Sequence, residues 1–339
     1  MVVLDGSQGE GGGQILRTAL SLSLCTGRPF RIEHIRAKRK NPGLMRQHLT
    51  AVLAAGEICG AQVKGAEIGS QTLEFSPGAL RAGDYRFATG TAGSCTLVFQ
   101  TILPALLRAQ GPSRVTMQGG THNPWAPPYH FLERAFLPQL GRMGARVSLE
   151  LKRFGFYPHG DGEFVARIEP VHRISPLHLG ERGRTTRCFA ESFVAGLPLH
   201  IAERELETIR KSLGWGDEAL LVRALPNDQG PGNALIITLE YERVIEVFTE
   251  FGQKGVTAET VARDVIAQAR DFMSSSAAVG PFLADQMLLP MALAGAGTFT
   301  TSALTQHSLT NAEVIRKFLD VEIQFRQVDP HCHEIRVFS

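Results

Sequence analysis

One pattern limits what this chain can fold into more than any other: the same run of elements occurs three times. Each copy reads as a glycine-led apolar helix, a short strand, a polar loop, a second helix and then two strands. In the first, Gln14 to Cys25 has helical apolar spacing through Ile15, Leu16, Ala19 and Leu20, and Gly27 ends it. Pro29 to Ile32 reads as a strand, His34 to Pro42 as the loop, Leu44 to Cys59 as the second helix, and Ala61 to Lys64 and Thr72 to Phe75 as strands. The second copy has a helix from Gly93 through Leu107, a strand Arg114 to Gln118, a loop Gly119 to Pro128 and a helix Phe131 to Met143. The third has a helix Leu283 to Leu293, a strand Thr298 to Ser302, a loop Ala303 to Leu309, a helix Asn311 to Leu319 and strands Glu322 to Val328 and Glu334 to Phe338.

Between copies two and three lies a segment of different rhythm, with helices Ile201 to Leu213 and Ala258 to Met273 and strands Leu235 to Tyr241 and Val244 to Phe251. The expectation is an α+β protein. Residues 1–174 with 277–339 form a large domain of three two-helix, four-strand units, at about 1–80, 84–170 and 280–339, and residues 175–276 an inserted smaller α+β domain. The charged run Glu203, Arg204, Glu205, Glu207 and Arg210 is expected to be a solvated helix face.

Three equivalent loops held on one scaffold are where chemistry belongs. The first is basic: seven Lys or Arg stand between Arg28 and Arg46 against the single acid Glu33, although the whole chain carries only +2. Arg36, Lys38, Arg39 and Lys40 precede Asn41-Pro42-Gly43, with Arg46 and Gln47 on the next helical turn, which suits either a solvated face or a phosphate site. The second carries His122, Asn123, Trp125, Pro127 and Pro128, a surface for packing or for a base. The third carries His307, placed just ahead of a helix by the capping-box spacing Thr310-Asn311-Ala312-Glu313. A helix N-terminus favours an anion, so His307 is either a turn-capping histidine or an imidazole to which phosphate is presented.

The stretch from Gly6 to Gln14 joins strand Val2 to Leu4 to the first helix and lets backbone approach a ligand closely. It lacks the Gly-Lys-Ser/Thr of a Walker loop and fails Gly-x-Gly-x-x-Gly. Its lone acid, Glu10, fits a Mg²⁺ ligand supplemented by waters and phosphates, and equally an acid favouring the helix dipole. Arg17, among apolar residues one turn further on, requires an anionic partner. His331 and His333 share a strand face without a third metal ligand nearby.

Together, Asp5 to Arg17 with its contiguous Gly-Glu-Gly-Gly-Gly-Gln, Arg36 to Gln47, Gly90 to Thr96, Leu283-Ala284-Asp285-Gln286 and His307 resemble the RNA 3'-terminal phosphate cyclase family, over essentially the whole chain. The resemblance implies units akin to those of the enolpyruvyl transferases. It implies that ATP adenylates His307, with Arg17 and Arg39 stabilising the transfer and Arg36 and Gln47 contacting phosphates. It further implies that Glu10 binds Mg²⁺ or Mn²⁺, that Pro127 and Phe131 lie near the adenine, and that Phe282, Asp285 and Gln286 hold the nucleotide. Phe282 stands where a bacterial relative has Tyr, so stacking is kept and a phenolic hydrogen bond lost.

The implied partner is an RNA 3'-phosphate end. Two rivals share the fold: a non-catalytic ribosomal-RNA processing scaffold, which needs no nucleophile, and an enolpyruvyl transferase, which needs no ATP-reactive histidine. The five cysteines form no C-x-x-C pair, the N-terminus has no signal-peptide pattern and no apolar run is long enough for a membrane helix, so a cytoplasmic protein is expected. Subunit association is left open, a homodimer included.

Overall fold

The computed structural model describes residues 1–339, folded into four four-stranded sheets with helices packed against them. The first sheet is built from β1 (Val2–Asp5), β2 (Phe30–Glu33), β3 (Gln62–Lys64) and β4 (Leu73–Ser76), with α1 (Gln14–Thr26) following β1 and α2 (Arg46–Glu57) following β2. The second contains β5 (Asp84–Ala88), β6 (Ser113–Gly119), β7 (Arg146–Arg153) and β8 (Gly162–Glu169), with α3 (Cys95–Leu106) between β5 and β6. Here the expected single helix from Phe131 begins earlier, as α4 (Tyr129–Phe131), passes through a π-helical turn at Leu132–Phe136 and ends as α5 (Leu137–Arg142).

Next comes β9 (Leu177–Leu179), and then the fourth sheet: β10 (Thr185–Ala195), α6 (His200–Leu213), β11 (Leu220–Ala224), β12 (Gly232–Tyr241), β13 (Ile245–Phe251) and α7 (Ala258–Ser274). The chain closes with α8 (Pro281–Ala294), β14 (Ala296–Thr301), α9 (Gln306–Phe318), β15 (Glu322–Asp329) and β16 (Cys332–Phe338). Although residues 177–179 fall in the stretch expected to belong to the insertion, β9 pairs in parallel with β14, Leu179 opposite Phe299. Three sheets then share one order, β1-β2-β4-β3, β5-β6-β8-β7 and β9-β14-β16-β15, each with its first pair parallel and the others antiparallel. The fourth, β11-β10-β12-β13, also has its parallel pair at one edge, but there the later strand, β11, forms the edge and the earlier one, β10, lies inside against β12.

Helix α1 lies against α2, α3 and α9, which explains its composition. A helix covered on several sides buries Ile15, Leu16, Ala19, Leu20 and Leu22, and every polar group it carries inward must find a partner. Ser21 Oγ donates to Thr101 O at 2.7 Å, Ser23 Oγ to Arg28 O at 2.7 Å and Thr18 Oγ1 to Asn311 Oδ1 at 2.9 Å. No helix is long and apolar enough to cross a membrane.

One expectation fails and another holds only in part, each for an identifiable reason. Helix α9 starts five residues before the expected Asn311, because its N-cap is Thr305, whose hydroxyl accepts the N–H of Ser308 at 3.1 Å. Thr310 instead faces inward, 4% exposed, so it cannot cap. The charged run on α6 is not uniformly solvated either: Ala202, Glu205, Leu206 and Ile209 recur at one helical face, and Glu205 is fully buried with them.

Glu205 Oε2 accepts from Ser192 Oγ at 2.6 Å and Asn233 Nδ2 at 3.1 Å, while its Oε1 has no partner. Burial therefore pushes this carboxyl up to about 7. A raised folded pKa means stability present below the unfolded value of 4.5 and lost as pH rises through about 7, here about 3 kcal/mol. Chemical denaturation of Glu205→Gln against the parent from pH 4 to pH 8 should show the variant gaining relative stability by about that amount. Parallel curves would show that the carboxyl does not titrate on folding.

Candidate functional site

The site forms where the loop after β1 meets the first turns of α1 and α9. Because α9 begins at Gln306, His307 lies in its first turn rather than in a loop ahead of it. Its Nε2 is 2.8 Å from Glu10 Oε2, and its Nδ1 hydrogen-bonds Gln14 Oε1. The orientation of that amide is fixed from the other end: Gln14 Nε2 donates to Asp285 Oδ1 at 2.7 Å, leaving the oxygen to face the imidazole. Asp285 also accepts from Asn311 Nδ2 at 3.3 Å, and Asn311 is held by Thr18. Three elements, α1, α8 and α9, thus fix one histidine, with Nδ1 as donor and Nε2 turned toward the Gly-rich loop.

The charges around it are closely balanced. The hydrogen bond to Glu10 raises the His307 pKa against the effect of burial, the charges of Glu10 and Asp285 add to the rise, and Arg17 opposes it. Burial works to raise the Glu10 carboxyl, but the His307 hydrogen bond and the charges of His307, Arg39 and Arg17 outweigh it and hold the group below the usual range. Burial does raise Asp285, despite its bonds from Gln14 and Asn311 and the nearby His307 and Arg17 charges. Arg17, pushed down by burial to about 10, still carries its proton at neutral pH and finds in Asp285 and Glu10 the anionic partners its position demands.

Tight approach explains two of the glycines. A Cβ on Gly13 would come within 2.3 Å of His48 Nε2 and 2.9 Å of an Arg17 guanidinium nitrogen, and one on Gly12 within 2.3 Å of Glu10 Oε1. His48, 5% exposed, accepts the N–H of Met45 through Nδ1 and is driven down to about 3 by burial, then by Arg17 and Arg36, so it stays neutral.

The basic loop reaches the same place. Arg39 Nη2 is 3.3 Å from Glu10 Oε1, and Lys38 Nζ donates to Gly9 O at 3.4 Å. Arg36, in the left-handed region at φ 55°, spends its Nη1 on the carbonyls of Asn41 and Gly43 and so shapes the loop. Gln47 Oε1 accepts the N–H of Ser94, the N-cap of α3. Gln286 Oε1 accepts from Gln100 Nε2 at 2.6 Å across a small cleft of about 70 Å³ lined also by Gln14, Arg17 and Asp285. The second loop is tied to α3 where Thr96 Oγ1 donates to Pro127 O at 2.7 Å. Phe131 is 3% exposed and packs as core, whereas Phe282, on the first turn of α8, is 52% exposed. No cluster of three or more His, Cys, Asp or Glu side chains able to hold a metal occurs, His331 and His333 included.

The family model described as RNA 3'-terminal phosphate cyclase matches residues 8–325. The chain belongs to the RNA 3'-terminal phosphate cyclase family. It is 54% identical over 336 residues to the RNA 3'-terminal phosphate cyclase of Pseudomonas fluorescens, covering 99% of this chain and 97% of that one. The cyclase of Koribacter versatilis is also 54% identical, over 335 residues, covering 99% and 94%. That of Ectopseudomonas mendocina is 54% identical over 328 residues, covering 97% and 95%.

Within this member of the cyclase family, reading the sequence overlooked Gln14, Asn311 and His48 as parts of the site. A signal for Gln14 exists: it precedes Arg17 and Thr18 by three and four positions, so all three share one face of α1.

Proposed function

We propose that the protein uses ATP to convert an RNA 3'-terminal phosphate into a 2',3'-cyclic phosphate through a covalent histidyl-AMP. The observation carrying this reading is the imidazole of His307, whose Nδ1–H is held by Gln14 so that Nε2 bears the lone pair once its proton is shed. In the first step His307 Nε2 attacks the α-phosphorus of ATP; the N–P bond forms and the bond to pyrophosphate breaks. An oxygen of the RNA 3'-phosphate then attacks that phosphorus, breaking N–P and giving RNA(3')pp(5')A. Finally the vicinal 2'-OH attacks the terminal RNA phosphorus, AMP leaves and the ring closes.

In this reading Arg17 and Arg39 stabilise the charge that builds on the transferring phosphoryl oxygens, while Gln47, and Arg36 through the guanidinium nitrogens that its bonds to Asn41 and Gly43 leave free, bind phosphate. The exposed ring of Phe282 offers the adenine a stacking face near Asp285 and Gln286; Pro127 is read as lying near the base, with the buried Phe131 supporting it from the core. Glu10 fits a hard cation that arrives with the triphosphate: one carboxylate with phosphate oxygens and waters is an ordinary Mg²⁺ or Mn²⁺ donor set, and the cation would neutralise triphosphate charge.

The three sheets of common order are read as copies of one unit, related to those of enolpyruvyl transferases. The fourth sheet with α6 and α7 is then an insertion, since it interrupts the chain between β9 and β14, which pair with each other. The function is tested by incubating the protein with α-labelled ATP and Mg²⁺, then with RNA bearing a 3'-phosphate. Acid-labile label on the protein, pyrophosphate release and a cyclic end are expected. A folded protein that takes no label would leave the scaffold and enolpyruvyl-transferase readings standing instead.

A further inference from the structure

A buried carboxyl of the fourth sheet reaches the start of α8, the helix that carries Phe282, Asp285 and Gln286. Glu246, on β13 and 1% exposed, accepts the N–H of Gly280 through Oε1 at 2.7 Å. Gly280 is the N-cap of α8, and the residue after it is Pro281, which has no N–H to offer. Glu246 is therefore an external cap, supplied by a different sheet, for the helix that carries Phe282, Asp285 and Gln286. The fit is close: a Cβ on Gly280 would lie 3.1 Å from Glu246 Oε2.

The start of α8 is held from its other side by β14, where Val279 N–H donates to Thr300 O at 3.0 Å and Ala278 N–H to Thr300 Oγ1 at 2.9 Å. Between these two anchors the helix has a defined position. That position matters because Asp285 sets the Gln14 amide, which in turn faces His307. Burial pushes the Glu246 carboxyl up to about 8, opposed by the Gly280 hydrogen bond and by Arg182, so near neutral pH it is largely uncharged and glutamine is its closest replacement. Arg182 itself is committed to the end of α7, donating to the carbonyls of Phe272, Met273 and Ser275.

We propose that Glu246 is a positioning residue for ATP: by capping α8 from the fourth sheet it sets where Phe282, Asp285 and Gln286 meet the nucleotide. This rests on the histidyl-adenylation reading of the site. The test is the ATP dependence of self-adenylation in Glu246→Ala, Glu246→Gln and Gly280→Ala, with Glu205→Leu, which disturbs a buried carboxyl on α6, the helix packed on the same sheet, as control. Loss of one buried hydrogen bond at the cap should raise the KM for ATP about tenfold in Glu246→Ala with a smaller effect on kcat. Glu246→Gln keeps the acceptor and should stay within about twofold of the parent, and Gly280→Ala, which crowds the carboxyl, should fall between.

A parental KM in Glu246→Ala, or an equal rise in Glu205→Leu, overturns the proposal. Should Glu246→Ala fail to fold, Gly280→Ala decides alone: an unchanged KM there overturns it. If the parent protein takes no label at all, it is the adenylation reading that fails and not the role of the cap.

Discussion

Substituting His307→Ala is expected to remove covalent labelling by ATP altogether, a loss on the order of a thousandfold or more, because no other side chain in the site can replace the nucleophile. Arg17 and Arg39 are cations, the Lys38 ammonium is turned onto the Gly9 carbonyl, the Gln14 amide is not nucleophilic, and His48 is buried against Gly13 with its Nδ1 on a backbone N–H. Stability should change little, within about 1 kcal/mol, since the His307 side chain is about half exposed and alanine suits a first helical turn. The readout is acid-labile label from α-labelled ATP beside a thermal melt. Label retained in a folded variant would move the nucleophile elsewhere; label lost together with the fold would be answered by His307→Asn, which keeps a polar group opposite Gln14.

The two helices that hold Gln14 and His307 show what a sequence can and cannot reveal. The limits of α1 were readable because apolar spacing and a glycine end are local signals: the helix runs Gln14–Thr26 and Gly27 closes it at φ 72°. The start of α9 was not, because Thr305 and Thr310 offer rival caps. Only packing, which turns Thr310 inward, decides between them. β10 escaped notice for a related reason. From Phe189 to Ala195 it is buried on both faces, so it lacks the alternation that marks a half-exposed strand.

At the site, the residue types were legible and their partners were not. Glu10 and His307 lie near opposite ends of the chain, and it is the packing of α1 on α9 that brings them to 2.8 Å. Arg17 announced a need for an anion by standing in an apolar helix, but nothing local named Asp285 as part of the answer. Arg36 shows the converse: a basic residue in a basic loop gives one guanidinium nitrogen to two backbone carbonyls, whereas its neighbour Arg39 reaches the Glu10 carboxylate.

Arg39→Ala is expected to lower ATP-dependent adenylation on the order of a hundredfold, which is the scale for removing one preorganised donor from a transferring phosphoryl group. Arg39 meets Glu10 at 3.3 Å while its side chain remains about half exposed, so the guanidinium is both aimed at the site and free to reach a ligand. Arg210→Ala provides the comparison. Its guanidinium, of similar exposure, is bound to Glu207 and Asp217 on the fourth-sheet unit, and its loss should leave adenylation within about twofold. Arg39→Lys separates charge from geometry: a lysine restores the positive charge but not the planar fork, so it should recover only part of the rate. Equal rates for Arg39→Ala and Arg210→Ala would mean that the basic loop is a solvated face after all. Full recovery by lysine would mean that it acts as a point charge and not as a bidentate clamp.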